Sequence, residues 1–227
     1  PLIGRQAELE QLTACLEQVQ QGQGQFVLVR GEAGMGKSRL IAALLEHAQS
    51  EYTCVIHTGE CQSYGRNSAF LVWQNIWRGL LALDSNTPVQ TQLSTLQATV
   101  RELNQELLPR LPLLAPLVSL PLSDNALTAS LEPQVRKAAT EALLSDLLQA
   151  IANRSAKAGH FIVLVLEDTQ WIDALSADVL EVLARAIRNL PVLLIAAERP
   201  SSESTNVDRL VTALREAPEG TTAAFDV

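Results

Sequence analysis

Aromatic residues are scarce in this chain, at 4% of 227 residues, and methionine occurs once. A core must therefore be built from aliphatic side chains, and hydrophobic residues do make up 47% of the sequence. Positive charge is also short. Seventeen Lys and Arg stand against 25 Asp and Glu, a formal net charge of −8. That balance argues against a surface given over to nucleic acid, and no direct nucleic-acid contact is expected. Cysteine is limited to Cys15, Cys54 and Cys61, with no C-x-x-C. So few thiols give no paired framework, which points to a reducing, cytoplasmic compartment. Cys54, His57 and Cys61 lie close together but lack the usual four-ligand spacing. The two cysteines read as buried thiols in and after a strand. No apolar run is long enough to span a bilayer, so no membrane partner is expected. The opening "PLIGRQAELEQL" has neither the basic n-region nor the apolar h-region of a secretory signal. Both ends read as cut, so the expectation is a domain of a longer polypeptide.

What is present is punctuated by period. Residues 6–20 predict a helix with Leu9, Leu12, Leu16 and Val19 on one face. "FVLVR" (26–30) is a continuous apolar run, the pattern of a strand covered on both faces. A glycine turn and the helix "SRLIAALLEHAQ" follow, then a strand, "YTCVIHTG" (52–59). Strand, loop, helix, strand make a βαβ unit on a parallel sheet.

The middle is helical. "SAFLVWQNIWRGLLAL" is apolar at helical spacing through Phe70, Trp73, Trp77 and Leu80. Leu93, Leu96, Val100, Leu103 and Leu107 predict one amphipathic helix. The four prolines of "LPRLPLLAPLVSLPL" forbid a long helix and predict short packed turns. A further helix is expected over 134–153, and the stretch from about 66 to 133 reads as a helical insertion between two strands. The α/β pattern then resumes with the strand "HFIVLVLED" (160–168). A helix with Leu175, Val179, Leu183 and Ile187 on one face precedes the strand of "PVLLIAAERP". A helix over 206–217 and a last strand in "TTAAFDV" complete the reading.

Gly31 to Ser38, "GEAGMGKS", fits G-x-x-x-x-G-K-[ST] at Gly31, Gly36, Lys37 and Ser38. The glycines let the backbone curl so that successive N–H groups point at phosphates. The helix that follows turns its positive end to the anion. Lys37 is the candidate for the β- and γ-phosphates, and the Ser38 hydroxyl for Mg²⁺. Glu32, Ala33, Gly34 and Met35 complete the cradle, with Ala33 and Met35 also expected to pack. Arg39 is either one more phosphate contact or a solvated helix arginine. A buried strand before the loop and a helix after it are the context the mechanism requires.

A phosphate cradle needs an acid to hold the metal. "LVLED" supplies Glu167 and Asp168 at the carboxyl end of a strand, the edge where open α/β sheets bind ligands. By position Glu167 is assigned to the metal and Asp168 to the attacking water, with the reverse order as the alternative. Arg199 ends the next strand, where a guanidinium can tell three phosphates from two. Its alternative is a surface ion pair with Glu198. No Asn/Thr-Lys-x-Asp run of the guanine-specific enzymes is present, which favours ATP.

"LIGRQAELEQL", "GEAGMGKSRL", "VLEDTQWID" and "LLIAAERP" occur in this order, and as a set they resemble the STAND branch of AAA-like P-loop ATPases. The resemblance is to ATPase modules of large bacterial regulators that accompany cyclase, kinase or helix-turn-helix domains. It implies a three-layer α/β P-loop NTPase fold, with helices on both faces of a parallel five-stranded sheet and residues 1–227 as one domain. It places the acid-bearing and Arg199 strands on one side of "FVLVR" and the last strand on the other. It also lays Ile3, Gly4 and Arg5 against the adenine. Trp171 corresponds to a packing residue and Asp173 to a helix N-cap. The metal-holding position, often Asp in that family, is Glu167 here, which implies slower hydrolysis. The function implied is a Mg²⁺·ATP-binding, slowly hydrolysing switch, whose partners are ATP or ADP, the other domains of the polypeptide and a second copy of itself. The alternatives are a nucleotide-dependent scaffold without turnover, or a small-molecule phosphotransferase.

Overall fold

The computed structural model describes residues 5–63, 69–200 and the backbone of 222–226. Its elements are α1 (Gln6–Gln20), β1 (Gln25–Arg30), α2 (Lys37–Glu51), β2 (Cys54–Glu60), α3 (Leu71–Leu80) and α4 (Val89–Leu103). A 3₁₀ run (Gln105–Leu114) leads to α5 (Ala115–Val118), α6 (Pro133–Lys157) and β3 (Phe161–Glu167). The chain continues through α7 (Ala174–Ala186), β4 (Val192–Glu198) and β5 (Thr222–Asp226). Ile3, Gly4 and the helix expected over 206–217 lie outside the described residues.

The sheet is five-stranded and parallel, in the order β2-β3-β4-β1-β5. β3 and β4 therefore lie on one side of β1 and the strand of "TTAAFDV" on the other, in the predicted order. The last pairing runs from Phe26 opposite Thr222 to Arg30 opposite Asp226.

Both faces of the sheet are covered over β1, β3 and β4, which is why those strands read as unbroken apolar runs. One row, with Val27, Val29, Val163, Val165, Leu193 and Ile195, packs on α1 and α2 through Leu12, Leu16, Leu40 and Leu44. The opposite row, with Phe26, Leu28, Ile162, Leu164, Leu166 and Leu194, packs on the helices of the middle segment and α7. Trp73 and Trp77, both fully buried, form the largest side chains of that second layer. Each buried Leu or Val contributes roughly 1.5–3 kcal/mol. These two layers, rather than the polar loops, thus fix the spacing of the strand ends.

Everything from Cys61 to His160 lies between adjacent, parallel β2 and β3. α6 closes that crossover, burying Leu143, Leu144, Leu147, Leu148 and Ile151. α3 approaches β2 so closely that a Cβ on Gly79 would lie 2.3 Å from His57 Nδ1, and one on Gly59 would lie 2.1 Å from the Val72 carbonyl. At Gly59 the obstacle is backbone, so only glycine fits, and at Gly79 a larger residue would have to displace the His57 ring.

Two helical expectations need correction. The amphipathic helix through Leu93 stops at Leu103, so Leu107 belongs to the 3₁₀ run. Asn104 is extended there, and its side chain accepts from the Glu106 N–H at 2.9 Å, a cap that outcompetes the helix. Leu175 is 37% exposed although it shares the spacing of buried Val179, Leu183 and Ile187. It sits in the first turn of α7, beyond the cover of its neighbours. The proline-rich segment forms short turns, as predicted, and buries Leu111, Leu113, Leu114, Leu117 and Val118. Among the described residues, no helix is long and apolar enough to cross a membrane.

Candidate functional site

Because every strand runs the same way, Arg30, Glu60, Glu167 and Glu198 end at one edge of the sheet. The loop after β1 turns there on Gly34 (φ 81°) and Gly36 (φ 89°). A Cβ at either would meet nothing within 4 Å, so glycine is needed for the sign of φ and not for space. Gly36 caps α2, whose first-turn N–H groups have no partners inside the helix.

Three side chains make the contacts of the loop, and one of them reaches the sheet. The Lys37 ammonium donates to the Gly31 carbonyl at 2.7 Å and to the Glu32 carbonyl at 3.2 Å. Ser38 Oγ donates to Glu167 Oε2 at 2.7 Å. An Arg5 guanidinium nitrogen lies 3.5 Å from the Met35 carbonyl, and its other terminal nitrogen pairs with Glu8 at 2.8 Å.

Glu32, Ala33, Met35 and Arg39 are exposed, Met35 by 48%. Packing by Ala33 and Met35 is therefore overturned. Residues 32–36 are all exposed, so the loop stands clear of the core and its side chains have nothing to pack on.

The acid pair straddles the strand end. Glu167 is the last residue of β3, and Asp168 lies one residue beyond it in the left-handed region (φ 54°). That turn is tied to β4. Buried Thr169 donates from Oγ1 to the Ala197 carbonyl at 3.2 Å. Gln170 donates from Nε2 to Asp168 Oδ1 at 2.8 Å and accepts at Oε1 from the Arg199 N–H at 3.1 Å. Arg199 follows β4 directly, with its side chain exposed. The structure thus brings Lys37, Ser38, Glu167, Asp168 and Arg199 to one edge. Asp173 caps α7, accepting from the Ser176 N–H at 3.0 Å, and half-buried Trp171 packs against the larger core.

Two features were not legible in the sequence. Arg30 and Glu198 sit opposite one another in the β1–β4 register, and Arg30 donates to Glu198 Oε1 through Nε at 2.9 Å and a terminal nitrogen at 2.5 Å. Glu198, read earlier as a surface partner for Arg199, is fully buried. The available signal was a charge closing each of two buried runs, "FVLVR" and "LLIAAE". The other feature is Gln170, whose reach depends on the turn at Asp168.

Cys61, beside the acid pair, donates its backbone N–H to the Glu167 carbonyl at 2.9 Å. Burial pushes its thiol up to about 12, assisted by the charges of Asp173, Asp168 and Glu60. Burial also raises the Cys54 thiol and lowers His57. A thiol held protonated in this way is a poor metal ligand and nucleophile.

The AAA ATPase domain family matches residues 1–195. An uncharacterized protein of Rhizobium meliloti (strain 1021) is 31% identical over 216 residues, which covers 92% of this chain and 19% of that protein. The chain thus spans about a fifth of that relative's length. Among solved structures it is similar to Cdc6p from Pyrobaculum aerophilum, at 14% identity and a TM-score of 0.47, over 99% of this chain and 46% of that one. It is also similar to C. elegans PCH-2, at 11% identity and a TM-score of 0.44, over 97% of this chain and 42% of that one. With the family matched across both the glycine loop and the acid pair, the chain belongs to the AAA ATPase domain family.

Proposed function

We propose that this domain binds Mg²⁺·ATP, hydrolyses it slowly, and acts as a STAND-type switch within a longer regulatory protein. The observation that carries the reading is the meeting of Ser38 and Glu167, a hydroxyl from α2 and a carboxylate from β3 joined at 2.7 Å. Mg²⁺ takes one or two protein carboxylates and completes its shell with water and phosphate oxygens, so this sparse oxygen pair fits it. When bound, the ion supplies charge neutralisation at the β- and γ-phosphates.

The chain's own residues do the rest. Lys37 exchanges the Gly31 and Glu32 carbonyls for phosphate oxygens. The loop offers the same phosphates its N–H groups other than those of Gly31 and Met35, which donate to the Glu198 and Glu32 carbonyls, and Arg39, exposed on α2, is available as one further contact. Asp168 orients the attacking water and takes its proton. Arg199 meets the terminal phosphate and distinguishes ATP from ADP. Ile3, Gly4 and Arg5 lie against the adenine, a role supported by the reach of Arg5 to the loop at Met35. Glu167, longer than an Asp, would hold the metal with a carboxylate carried further from the strand, and turnover is expected to be slow.

A switch works only if its two nucleotide states make different contacts. Lys37, Ser38, the acids and Arg199 provide that difference. Residues 1–227 form one domain with a helical insertion at about 66–133, working in the cytoplasm beside other domains of its polypeptide. β5 closes one end of the sheet order, and such an edge suits pairing with a second copy.

The test is nucleotide binding and turnover in Mg²⁺. Lys37→Ala should abolish tight ATP binding, and unchanged affinity would end the reading. Asp168→Asn should leave affinity within about threefold and lower turnover roughly 10²-fold. Binding with assembly but no turnover in the unmodified domain would favour the scaffold. Turnover only with a phosphate acceptor would favour a phosphotransferase.

A further inference from the structure

We propose that Gln170 is a positioning residue that couples the acid at Asp168 to the end of β4, beside the terminal-phosphate contact at Arg199. The inference rests on the reading of Asp168 as the water-orienting acid. Its basis is a chain of two hydrogen bonds through one amide. Nε2 of Gln170 holds Asp168 Oδ1 at 2.8 Å, and Oε1 receives the Arg199 N–H at 3.1 Å.

Chemistry fixes which way this amide points. A backbone N–H only donates, so the amide oxygen must face Arg199. An ionised carboxylate only accepts, so the amide nitrogen must face Asp168. Glutamine satisfies both demands at once. Glutamate satisfies only the first.

The surroundings explain why the position needs such a clamp. Asp168 has φ 54°, a conformation uncommon outside glycine, tolerated by Asp and held here by its neighbours. Thr169, 1% exposed, pins the same turn to β4 through the Ala197 carbonyl at 3.2 Å. Two side chains of one short turn therefore grip successive parts of the same strand end. A displacement of the backbone at Arg199 pulls on Gln170 and turns the Asp168 carboxylate. Sensing of the terminal phosphate and orientation of water then move as one unit. ATP in place aligns the acid, and loss of the terminal phosphate releases it.

Two measurements test this. The first is independent of turnover. Gln170→Glu keeps the acceptor for Arg199 but sets a like charge against Asp168, so the melting temperature should fall. Adding Asp168→Asn supplies a donor to the new carboxylate and should restore most of that loss. Strict additivity of the two substitutions would overturn the contact. The second is steady-state kinetics of Gln170→Met, which keeps the length and loses both bonds. Well below the melting temperature, kcat should fall roughly ten- to hundredfold, the scale of a hydrogen bond to a charged group. KM should stay within about threefold, as expected for an interaction that matters in the transition state. Coupled stability with unchanged kcat would overturn the positioning role. An unmodified domain that binds ATP without hydrolysing it would overturn the role assigned to Asp168 itself, and the stability cycle would still decide whether the clamp exists.

Discussion

Ser38 Oγ and Glu167 Oε2 stand 2.7 Å apart although 129 positions separate them in the chain. One lies in the first turn of α2 and the other ends β3, on a strand two places from β1. Their contact converts two separate motifs into one oxygen pair. Glu167→Gln keeps the shape and removes the charge. It should abolish most of the Mg²⁺ dependence of ATP affinity, a loss of roughly tenfold or more for a charged contact. Ser38→Ala should do the same, and the double substitution should cost little beyond either one, because the two share a site. Fluorescent-nucleotide titration with Mg²⁺ and with chelator checks this. A Glu167→Gln domain with full Mg²⁺ dependence would transfer the metal role to Asp168.

Arg199 has its backbone fixed by Gln170 and its side chain exposed. Arg199→Ala is expected to bind ADP as before while its preference for ATP falls by roughly tenfold, about 1.4 kcal/mol. Competition titration with the two nucleotides reads this directly. Equal losses for both would show that Arg199 touches other phosphates or serves the fold.

The pair of Arg30 and Glu198 makes a stability prediction. Glu198 is fully buried, so removing Arg30 takes a charged partner from a carboxylate in the core. Arg30→Met should cost about 3 kcal/mol or more in denaturant unfolding, the scale for breaking a buried pair. Arg30→Met combined with Glu198→Leu should recover much of the loss, because an apolar pair leaves no charge stranded. If Arg30→Met were neutral, the pair would not hold β1 to β4.

His57 gives a pH dependence with a definite sign. Burial against α3 lowers it from its usual 6.5, so the fold keeps the imidazole neutral. Below 6.5 the unfolded chain takes up a proton that the folded chain refuses. Stability is therefore full above that pH and declines as pH falls from it toward the lower folded value. The slope contributed by one proton is at most about 1.4 kcal/mol per pH unit. The lowered carboxyls of Glu8 and Asp124, each paired with an arginine, act only at more acid pH, below 4.5 and 3.8. Replacing His57 by Gln should flatten the curve between about pH 6.5 and 5, within the window of an ordinary histidine. An unchanged curve would place the acid sensitivity elsewhere.

Local order alone determined a good deal. A run such as "FVLVR" between a helix and a glycine turn has one economical reading, a strand covered on both faces. "GEAGMGKS" after it needs positive φ at Gly34 and Gly36, which glycine adopts without strain. "LVLED" places two acids at a strand's carboxyl end, because an apolar run must stop where the sheet does. Strand order came only as what the family resemblance of those motifs implies, and the register of Phe26 on Thr222 agrees with it. Only the tertiary structure decided which carboxylate meets Ser38, that Glu198 is turned inward to Arg30, and that Gln170 spans Asp168 and Arg199. The reason is physical. Periodicity reports which face of an element is apolar, and that is a property of neighbours in the chain. A hydrogen bond depends on about half an ångström in the separation of two strand ends and on one backbone angle. Those are set by how Trp73, Trp77 and the aliphatic layers fill the space between sheet and helices, and by φ at Asp168, which no residue-by-residue pattern encodes.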